Sequence, residues 1–462
     1  MTVRRVLPVI AVAIAAVGFA PAAEWDFDPV LTVFTEYNDN VNLTDTQVDD
    51  LSSDTDDSDQ ITSGVLRLPL TARTPRTTFG LTYEPRYEKY HDSDHSQFDN
   101  SEHYVSARWY HRASTQWDWN MSGSWARRDR QRPSFDEPNI DLVIVPRTRF
   151  TTVNGYFGFA WMPSPRHRFT LTPSWRSTDY ESLLLRFVDR AGDPTDNEPD
   201  GTIDDADDTN GDGVLTTADR VILFDDAVEE SVEAAWEYLS GPITGWRVSY
   251  RGSHIDENDF GERNIHRGLV GYRHGSVEVW QIEINVGAGI VDEVRRAQPE
   301  LFSLRPDEFA AFEEAPLENE TEWIADLTMT GKVGARGSLT MGVSHDVSGS
   351  SGVSGASETY GGFLGLAVAT GRWSYLQVAT RYAHRNALED DSSSSTTAVR
   401  AEWSAALGPH WAVVFSGERL SQSADTSVLE GAFTVLSAGL RWSPTATESQ
   451  QVVFGPPMGA HR

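Results

Sequence analysis

The chain has 462 residues, a formal net charge of −31 at pH 7 and no cysteine. Acidic residues outnumber basic ones 69 to 38, which excludes nucleic acid as the main partner because a phosphate backbone needs a basic surface. The absence of cysteine excludes disulfides, zinc–thiolate sites, iron–sulfur clusters and thiol nucleophiles. The aromatic content of 11% suits a large all-β protein, either soluble or embedded in a membrane.

Residues 1–22 have the features of a secretory signal peptide. Arg4 and Arg5 supply the positive charge, an apolar run follows, and Ala20-Pro21-Ala22 offers the small residues that a signal peptidase needs. The apolar run is shorter than the roughly 20 residues that cross a bilayer as a helix. We therefore predict an exported protein that is cleaved after Ala22.

Beyond residue 22, apolar and polar residues alternate in runs of ten or more. Between Trp280 and Ile290, for example, every second residue is apolar. A period of two is the pattern of a β-strand with two different faces. We predict about 18 strands, at residues 29–38, 61–73, 77–90, 103–113, 116–130, 149–162, 168–180, 229–240, 244–256, 264–274, 276–290, 320–331, 336–346, 357–369, 372–385, 396–407, 410–420 and 431–442.

The connections between these runs alternate between long and short. The first, 39–60, is long and the second, 74–76, is tight, and the alternation continues along the chain. An outer-membrane β-barrel has this arrangement, with an even number of antiparallel strands, short periplasmic turns and long outer loops. We predict an all-β, antiparallel transmembrane β-barrel over residues 23–443 and a periplasmic tail over residues 444–462.

The alternative is a soluble all-β secreted protein such as a jelly roll or a propeller. The sequence has no regular repeat of 40–50 residues of the propeller kind. Aromatic residues near the strand ends favour the membrane barrel, in which they form girdles at both interfaces. We expect Trp246, Trp323, Trp373, Trp411 and Trp442 at the turn end, and Tyr37, Tyr90 and Tyr180 at the loop end.

A short motif in the first hairpin gives a family resemblance. The segment Glu36-Tyr37-Asn38-Asp39-Asn40 resembles the first-hairpin pattern of the β-barrel porin type 2 family, many members of which are linked with exopolysaccharide export. The resemblance implies an outer-membrane barrel and supplies no substrate.

If the apolar residues face lipid, the residues between them face the lumen. Arginine keeps its charge and presents a fork that suits carboxylate or phosphate, so these residues are candidates for binding anionic solutes. The alternative is a network of Arg–Glu pairs that only solvates the interior. The luminal candidates are Arg67, Arg86, Arg108, Arg112, Arg168, Arg176, Arg247, Arg251, Glu283, Arg400 and Glu402.

An acidic insertion at residues 189–228 contains a 12-residue pattern of calcium-binding loops, which place oxygen ligands at positions 1, 3, 5, 7, 9 and 12 and glycine at position 6. The alternative is a solvated acidic loop. The predicted calcium ligands are Asp208, Asn210, Asp212, Val214, Thr216 and Asp219. A less complete second match directly before it has Asp196, Glu198, Asp200, Thr202, Asp204 and Asp207.

The pattern at 208–219 resembles the duplicated calcium loops of dockerins, and thrombospondin type 3 repeats are an alternative comparison. The resemblance suggests a short exiting helix at residues 217–224. The two patterns abut, so the helix that separates the loops of a dockerin is missing. We expect a structural calcium ion here, with no complete dockerin module.

These features predict an outer-membrane channel for solutes or for envelope polysaccharide export, in contact with lipid and lipopolysaccharide and with no nucleic acid. One alternative is a non-transporting surface barrel whose calcium-ordered loops bind a partner or stabilise the envelope. Another is a hydrolase at the barrel rim that uses His254, His345 or His384. The sequence has no Gly-x-Ser-x-Gly, His-Glu-x-x-His or phosphate-binding glycine loop, so we predict that the protein is not an enzyme.

Overall fold

A computed structural model describes the backbone of residues 23–39, 58–91, 100–128, 149–180, 185–187, 220–222, 226–257, 261–295, 320–334, 336–349, 356–387, 393–424 and 431–444. The predicted signal peptide, the predicted calcium ligands and most of the predicted C-terminal tail lie outside these residues. The described residues form strands and turns. In this part of the chain no helix has the length and apolar character needed to cross a membrane.

Within the described residues, twenty-one strands are formed. They are β1 (Glu24–Phe27), β2 (Val30–Asn38), β3 (Asp59–Arg73), β4 (Thr77–Tyr90), β5 (Asn100–Arg112), β6 (Trp117–Arg128), β7 (Phe150–Ser164), β8 (His167–Tyr180), β9 (Leu185–Phe187), β10 (Arg220–Ile222), β11 (Ala227–Leu239), β12 (Thr244–Glu257), β13 (Gly261–Gly275), β14 (Trp280–Arg295), β15 (Glu320–Val333), β16 (Gly337–Gly349), β17 (Ala356–Ala369), β18 (Ser374–Ala387), β19 (Ser393–Ala406), β20 (Trp411–Ala424) and β21 (Gly431–Trp442).

The long strands close into a barrel of 18 antiparallel wall strands. Each pairs with its neighbour along the chain, β8 pairs with β11, and β21 returns to pair with β2, where Phe34 lies opposite Gly439. Both β1 and β2 pair with β3 and together form one wall strand. The wall strand is interrupted at Asp28-Pro29, where proline has no N–H to donate to the ladder. The predicted fold class is confirmed.

Eight turns of two to four residues join the strands at one end of the barrel. The sequence predicted that Gly275 alone joins β13 to β14, with strand from residue 276, and this was wrong. Gly275 has a positive φ of 98°, and the Val279 N–H donates to the Ser276 carbonyl at 2.9 Å. Residues 276–279 therefore form a turn although their side chains alternate like those of a strand.

The connections at the opposite end range from three residues, 258–260, to 46 residues, 181–226. The expectation of long outer loops therefore holds for several connections and fails between β12 and β13. Within the longest connection, β9 and β10 pair antiparallel, with Arg220 opposite Phe187. The expected exit helix at 217–224 was wrong, because Arg220–Ile222 is a strand.

The strand register gives the wall an apolar outer face. Residues directly opposite one another in a ladder share a face, so the pairing extends a face around the barrel. One face carries the exposed large apolar side chains, as a membrane barrel presents to lipid. They include Leu31, Val33, Val232, Val248, Val270, Val286, Leu327, Val343, Leu364, Val399, Phe415 and Leu436.

The aromatic residues lie at the predicted ends of the wall with one exception. Trp323 is the fourth residue of β15, which starts at the end of the long connections. The sequence interpretation placed it at the turn end, and this was wrong. Its indole lies on the outer face at the loop end of the wall and is 57% exposed. Tyr90 and Tyr180 have the parity of the face that carries Glu36 and Arg176, and Tyr90 is 2% exposed, so their placement in an outer girdle was also wrong.

Candidate functional site in the barrel lumen

A contact between distant strands identifies the luminal face. Arg267 of β13 places its Nε 3.1 Å from Oδ1 of Asp346 on β16, although β14 and β15 lie between them in the sheet. Side chains of non-neighbouring strands can meet in this way only across the concave interior. The face that carries Arg267 is therefore the inside of the barrel.

The register places the eleven luminal candidates on this face. For example, Arg267 lies opposite Arg251, and Arg251 lies opposite Glu233. Glu283 lies opposite Arg273 on the adjacent strand. The candidates then divide into those with an ion-pair partner and those without one, and this division could not be read from the sequence.

The β11–β12 wall carries a ladder of alternating charges. Arg247 is ion-paired with Glu233 and, at 3.6 Å, with Glu237. Arg251 donates to Glu229 at 3.1 Å. Arg247 lies directly opposite Glu237 and Arg251 directly opposite Glu233, yet each also reaches a carboxylate four residues further from the turn. Both guanidinium groups therefore lean toward the loop end of the barrel.

A buried charge cluster lies where the barrel closes. Arg86 of β4 contacts Glu36 at 2.9 Å and Glu88 at 2.6 Å, and the two carboxylate side chains are 7% and 0% exposed. The guanidinium also lies over the ring of Phe34, 5.0 Å from its centroid. Glu36 belongs to the first-hairpin motif but was not a predicted site residue. Its contact with Arg86 ties β2 to β4 across β3.

Three further candidate arginines form pairs that are partly exposed. Arg67 lies 3.9 Å from Glu84, and Arg112 lies 3.5 Å from Asp118. Arg400 lies 3.1 Å from Glu402. Arg441, which the sequence did not single out, reaches the same Glu402 at 3.8 Å.

The remaining arginines among the candidates have no carboxylate partner within the described part of the chain. They are Arg108 on β5 and Arg168 and Arg176 on β8. Arg168 lies opposite Glu237, but Glu237 is held by Arg247 from the other side. These three side chains are therefore positive charges of the lumen that are left to interact with a solute, as is Arg273 on β13.

The outer end of the β16–β17 hairpin folds into the lumen, which the sequence did not predict. Pairing between β15 and β16 stops at Ala325 and His345, whereas β16 stays paired with β17 as far as Gly349. The Arg267 guanidinium also donates to the carbonyl of Val347. The hairpin end therefore crosses the inner side of the wall and narrows the bore.

An apolar cluster lies beneath this folded hairpin. The Val347 side chain is 0% exposed and packs with Ile255, Ile265, Val291 and Ile324. These isoleucines and Val291 are luminal residues of β12 to β15. In the sequence they break the apolar-out pattern of their strands, and this break is the one signal that could have indicated an internal contact.

The three predicted rim histidines do not assemble a catalytic group. His345 is 4% exposed and bonds Glu358 at 2.7 Å. His254 bonds Asn264 at 2.9 Å. His384 lies 2.8 Å from the Ser395 hydroxyl, but within the described residues no carboxylate orients its ring, as a triad requires.

The predicted calcium ligands, Asp208 to Asp219 and Asp196 to Asp207, lie outside the described residues. Among the residues that the structure does describe, no group of three or more metal-ligating side chains occurs. Paired β9 and β10 bring the two ends of residues 188–219 together, so the segment with both patterns leaves and returns at one place.

The closed wall, the apolar outer face and the charged interior define the class of protein. A lipid-facing apolar band around a polar interior is the arrangement of outer-membrane β-barrels, in which closure satisfies every strand edge. The protein is an outer-membrane β-barrel.

Comparison with known proteins finds a general similarity of structure. No protein-family model and no curated protein matches the chain. Among solved structures, a BenF-like porin from Pseudomonas fluorescens is similar with a TM-score of 0.44 at 9% identity over 92% of this chain and 100% of that one. Pseudomonas aeruginosa OccK2 (OpdF), solved with glucuronate, gives a TM-score of 0.42 at 11% identity over 91% and 98%. Similarity of this degree identifies neither a family nor a solute.

Proposed function

We propose that the protein is a porin-like channel that lets small anionic solutes cross the outer membrane. The observation that carries the proposal is that three of the candidate luminal arginines, Arg108, Arg168 and Arg176, have no carboxylate partner among the described residues. A barrel of 18 strands is wide enough to enclose an aqueous channel. Charges of one sign along a low-dielectric wall raise the local concentration of counter-ions.

The paired and the unpaired arginines have different roles in this proposal. In the ion pairs, such as Arg251 with Glu229, each charge of the lumen is balanced by an opposite charge. The pairs also hold neighbouring strands in register. The unpaired guanidinium groups keep their donors for a passing carboxylate or phosphate, which they can hold by two parallel hydrogen bonds. Because such contacts are exposed to water they are weak, and a solute can leave as readily as it enters.

Planar-bilayer recording of the purified full-length protein tests the channel. We expect stepwise conductance and, in a salt gradient, a reversal potential with the sign of anion preference. A barrel that carries no current at any voltage or salt concentration would contradict the proposal and favour the non-transporting surface barrel.

Polysaccharide export is the alternative use of the same lumen, and the first-hairpin motif supports it through the family resemblance. The two uses differ in the length of the passenger. Swelling of proteoliposomes by small organic acids supports a solute channel. If small organic acids do not pass and a polysaccharide chain does, the result would support export instead.

We further propose that Asp208, Asn210, Asp212, Val214, Thr216 and Asp219 bind a structural calcium ion. Residues 189–230 contain 15 acidic residues and two arginines, so the segment repels itself unless a cation neutralises it. The weaker pattern beginning at Asp196 would bind a second ion.

Calcium titration of the full-length protein checks this proposal. We expect saturable binding that Asp208→Ala and Asp212→Ala together abolish, because each removes a ligand at positions 1 and 5 of the loop. The control is Asp59→Ala, a carboxylate of the β3 wall far in sequence from the pattern. Equal binding by all three proteins would remove the site.

A further inference from the structure

The end of β16 that lies inside the lumen, beyond His345, is displaced from the position that it would have in a continuous wall. Neighbouring strands lie about 4.8 Å apart, so β16 should lie about 10 Å from β14 and about 14 Å from β13. Its Cα atoms instead come within 8 Å of both strands. Beyond the pair Ala325 and His345, therefore, β16 overlaps the inner side of its neighbours instead of continuing the wall.

Two sets of contacts compete for this segment. In the observed position, Val347 is buried in the apolar cluster, and Arg267 binds both Asp346 and the Val347 carbonyl. In the alternative position, the β15–β16 register would continue, with Ile324 opposite Asp346 and Trp323 opposite Val347. That position would restore backbone hydrogen bonds to the free edge of β15, and it would widen the bore.

The Arg267 contact is the part of this balance that a solute in the lumen could change. The guanidinium side chain is 15% exposed and that of Asp346 is 34% exposed, so a solute in the lumen can reach the pair. Asp346 offers Arg267 the same group that an organic acid carries. A carboxylate solute that binds Arg267 would replace Asp346 and remove the charged contact that holds the hairpin inward.

We propose that Arg267 is an anion-binding site whose occupant sets the position of the β16–β17 end, with Asp346 bound in the narrow state and a solute carboxylate bound in the wide state. The inference rests on the proposed passage of anionic solutes and adds a regulated step to it. The inference predicts the position of the end of β16, and this position can be measured without recording current through the channel.

Disulfide trapping measures that position directly, because the chain has no cysteine of its own. A Cβ placed on Gly289 of β14 lies 3.8 Å from Cβ of Val347, within the range of about 3.5–4.5 Å that a disulfide requires. In a continuous wall these two positions are two strands apart. The double variant Gly289→Cys/Val347→Cys should therefore cross-link only while the hairpin lies inward.

We expect rapid cross-linking of this double variant under a mild oxidant. Adding Asp346→Asn should slow it about tenfold, the effect of removing the negative charge of the Arg267–Asp346 ion pair. Sodium succinate should slow it similarly, compared with sodium chloride at the same ionic strength. The control is Ser416→Cys/Ser437→Cys, a directly opposite luminal pair of β20 and β21, which should cross-link at one rate throughout and shows that the barrel is folded.

Cross-linking that is equally fast with Asp346→Asn and with succinate would overturn the inference, even if the channel conducts anions normally. A response to succinate in a barrel that carries no current would instead support the anion site and contradict the channel. Slowing by sodium chloride to the same extent as by succinate would reduce the effect to screening and also overturn the inference.

Discussion

Substitution of Arg86 by methionine should lower the free energy of unfolding by about 3–5 kcal/mol, the usual effect of breaking a buried ion pair by removing one partner. The substitution leaves the carboxylates of Glu36 and Glu88 without the guanidinium that lies within 2.9 Å of both. It also removes the contact that joins β2 and β4 where the barrel closes.

Urea-induced unfolding in lipid vesicles, followed by the electrophoretic shift between folded and unfolded barrel, measures this loss. Arg67→Met is the matched control, because it removes an arginine of the same face from the adjacent strand. Its ion pair with Glu84 is 3.9 Å long and the two side chains are 43% and 39% exposed, so we expect a loss of less than about 1 kcal/mol. Equal losses in the two variants would show that the buried cluster has no special role.

Replacing Arg108, Arg168 and Arg176 together by glutamine should reduce the preference for anions over cations about tenfold, since steering by clustered charge has effects of this order. The three side chains have no carboxylate partner in the described residues, so their removal leaves no acid uncompensated. Stability should therefore change little, and the effect should appear in the reversal potential measured in a salt gradient.

The control for this variant removes the same total charge outside the lumen. Arg76, Arg166 and Arg336 lie in the turns at the end of the barrel and are exposed. Their replacement by glutamine should leave the reversal potential nearly unchanged, because salt screens exposed charges beyond about 8–10 Å. If both triple variants shift the potential equally, the selectivity depends on net charge and the luminal arginines have no particular role.

Much of the wall could be predicted because a membrane barrel repeats one simple pattern. Every strand must present apolar residues to lipid and polar residues to the lumen, so a run such as Trp280 to Ile290 indicates both the strand and its two faces. The turn at 276–279 was misplaced because Val277 and Val279 alternate with polar residues as in a strand, although out of phase with Trp280 and Ile282. The positive φ of Gly275 ends β13.

The pairing of luminal charges was not predictable to the same degree. The two-residue alternation along a strand places Arg86 and Arg108 on the same face and does not distinguish them. In the structure, Arg86 binds two carboxylates and Arg108 binds none of those described. Which acid meets which arginine depends on the stagger between strands and on diagonal contacts, as between Arg247 and Glu233. These relations arise only when the strands are placed side by side.

By itself, the sequence determined the class of fold, the number of wall strands and the face on which most residues of a strand lie. It could do so because alternation is a local property, and one residue of error would place every side chain of a strand on the wrong face. The tertiary structure alone decided that β16 leaves β15 at Ala325 and His345 and reaches Arg267. That contact joins residues 79 positions apart, and no local pattern encodes it, because the competing position beside β15 would satisfy the same alternation.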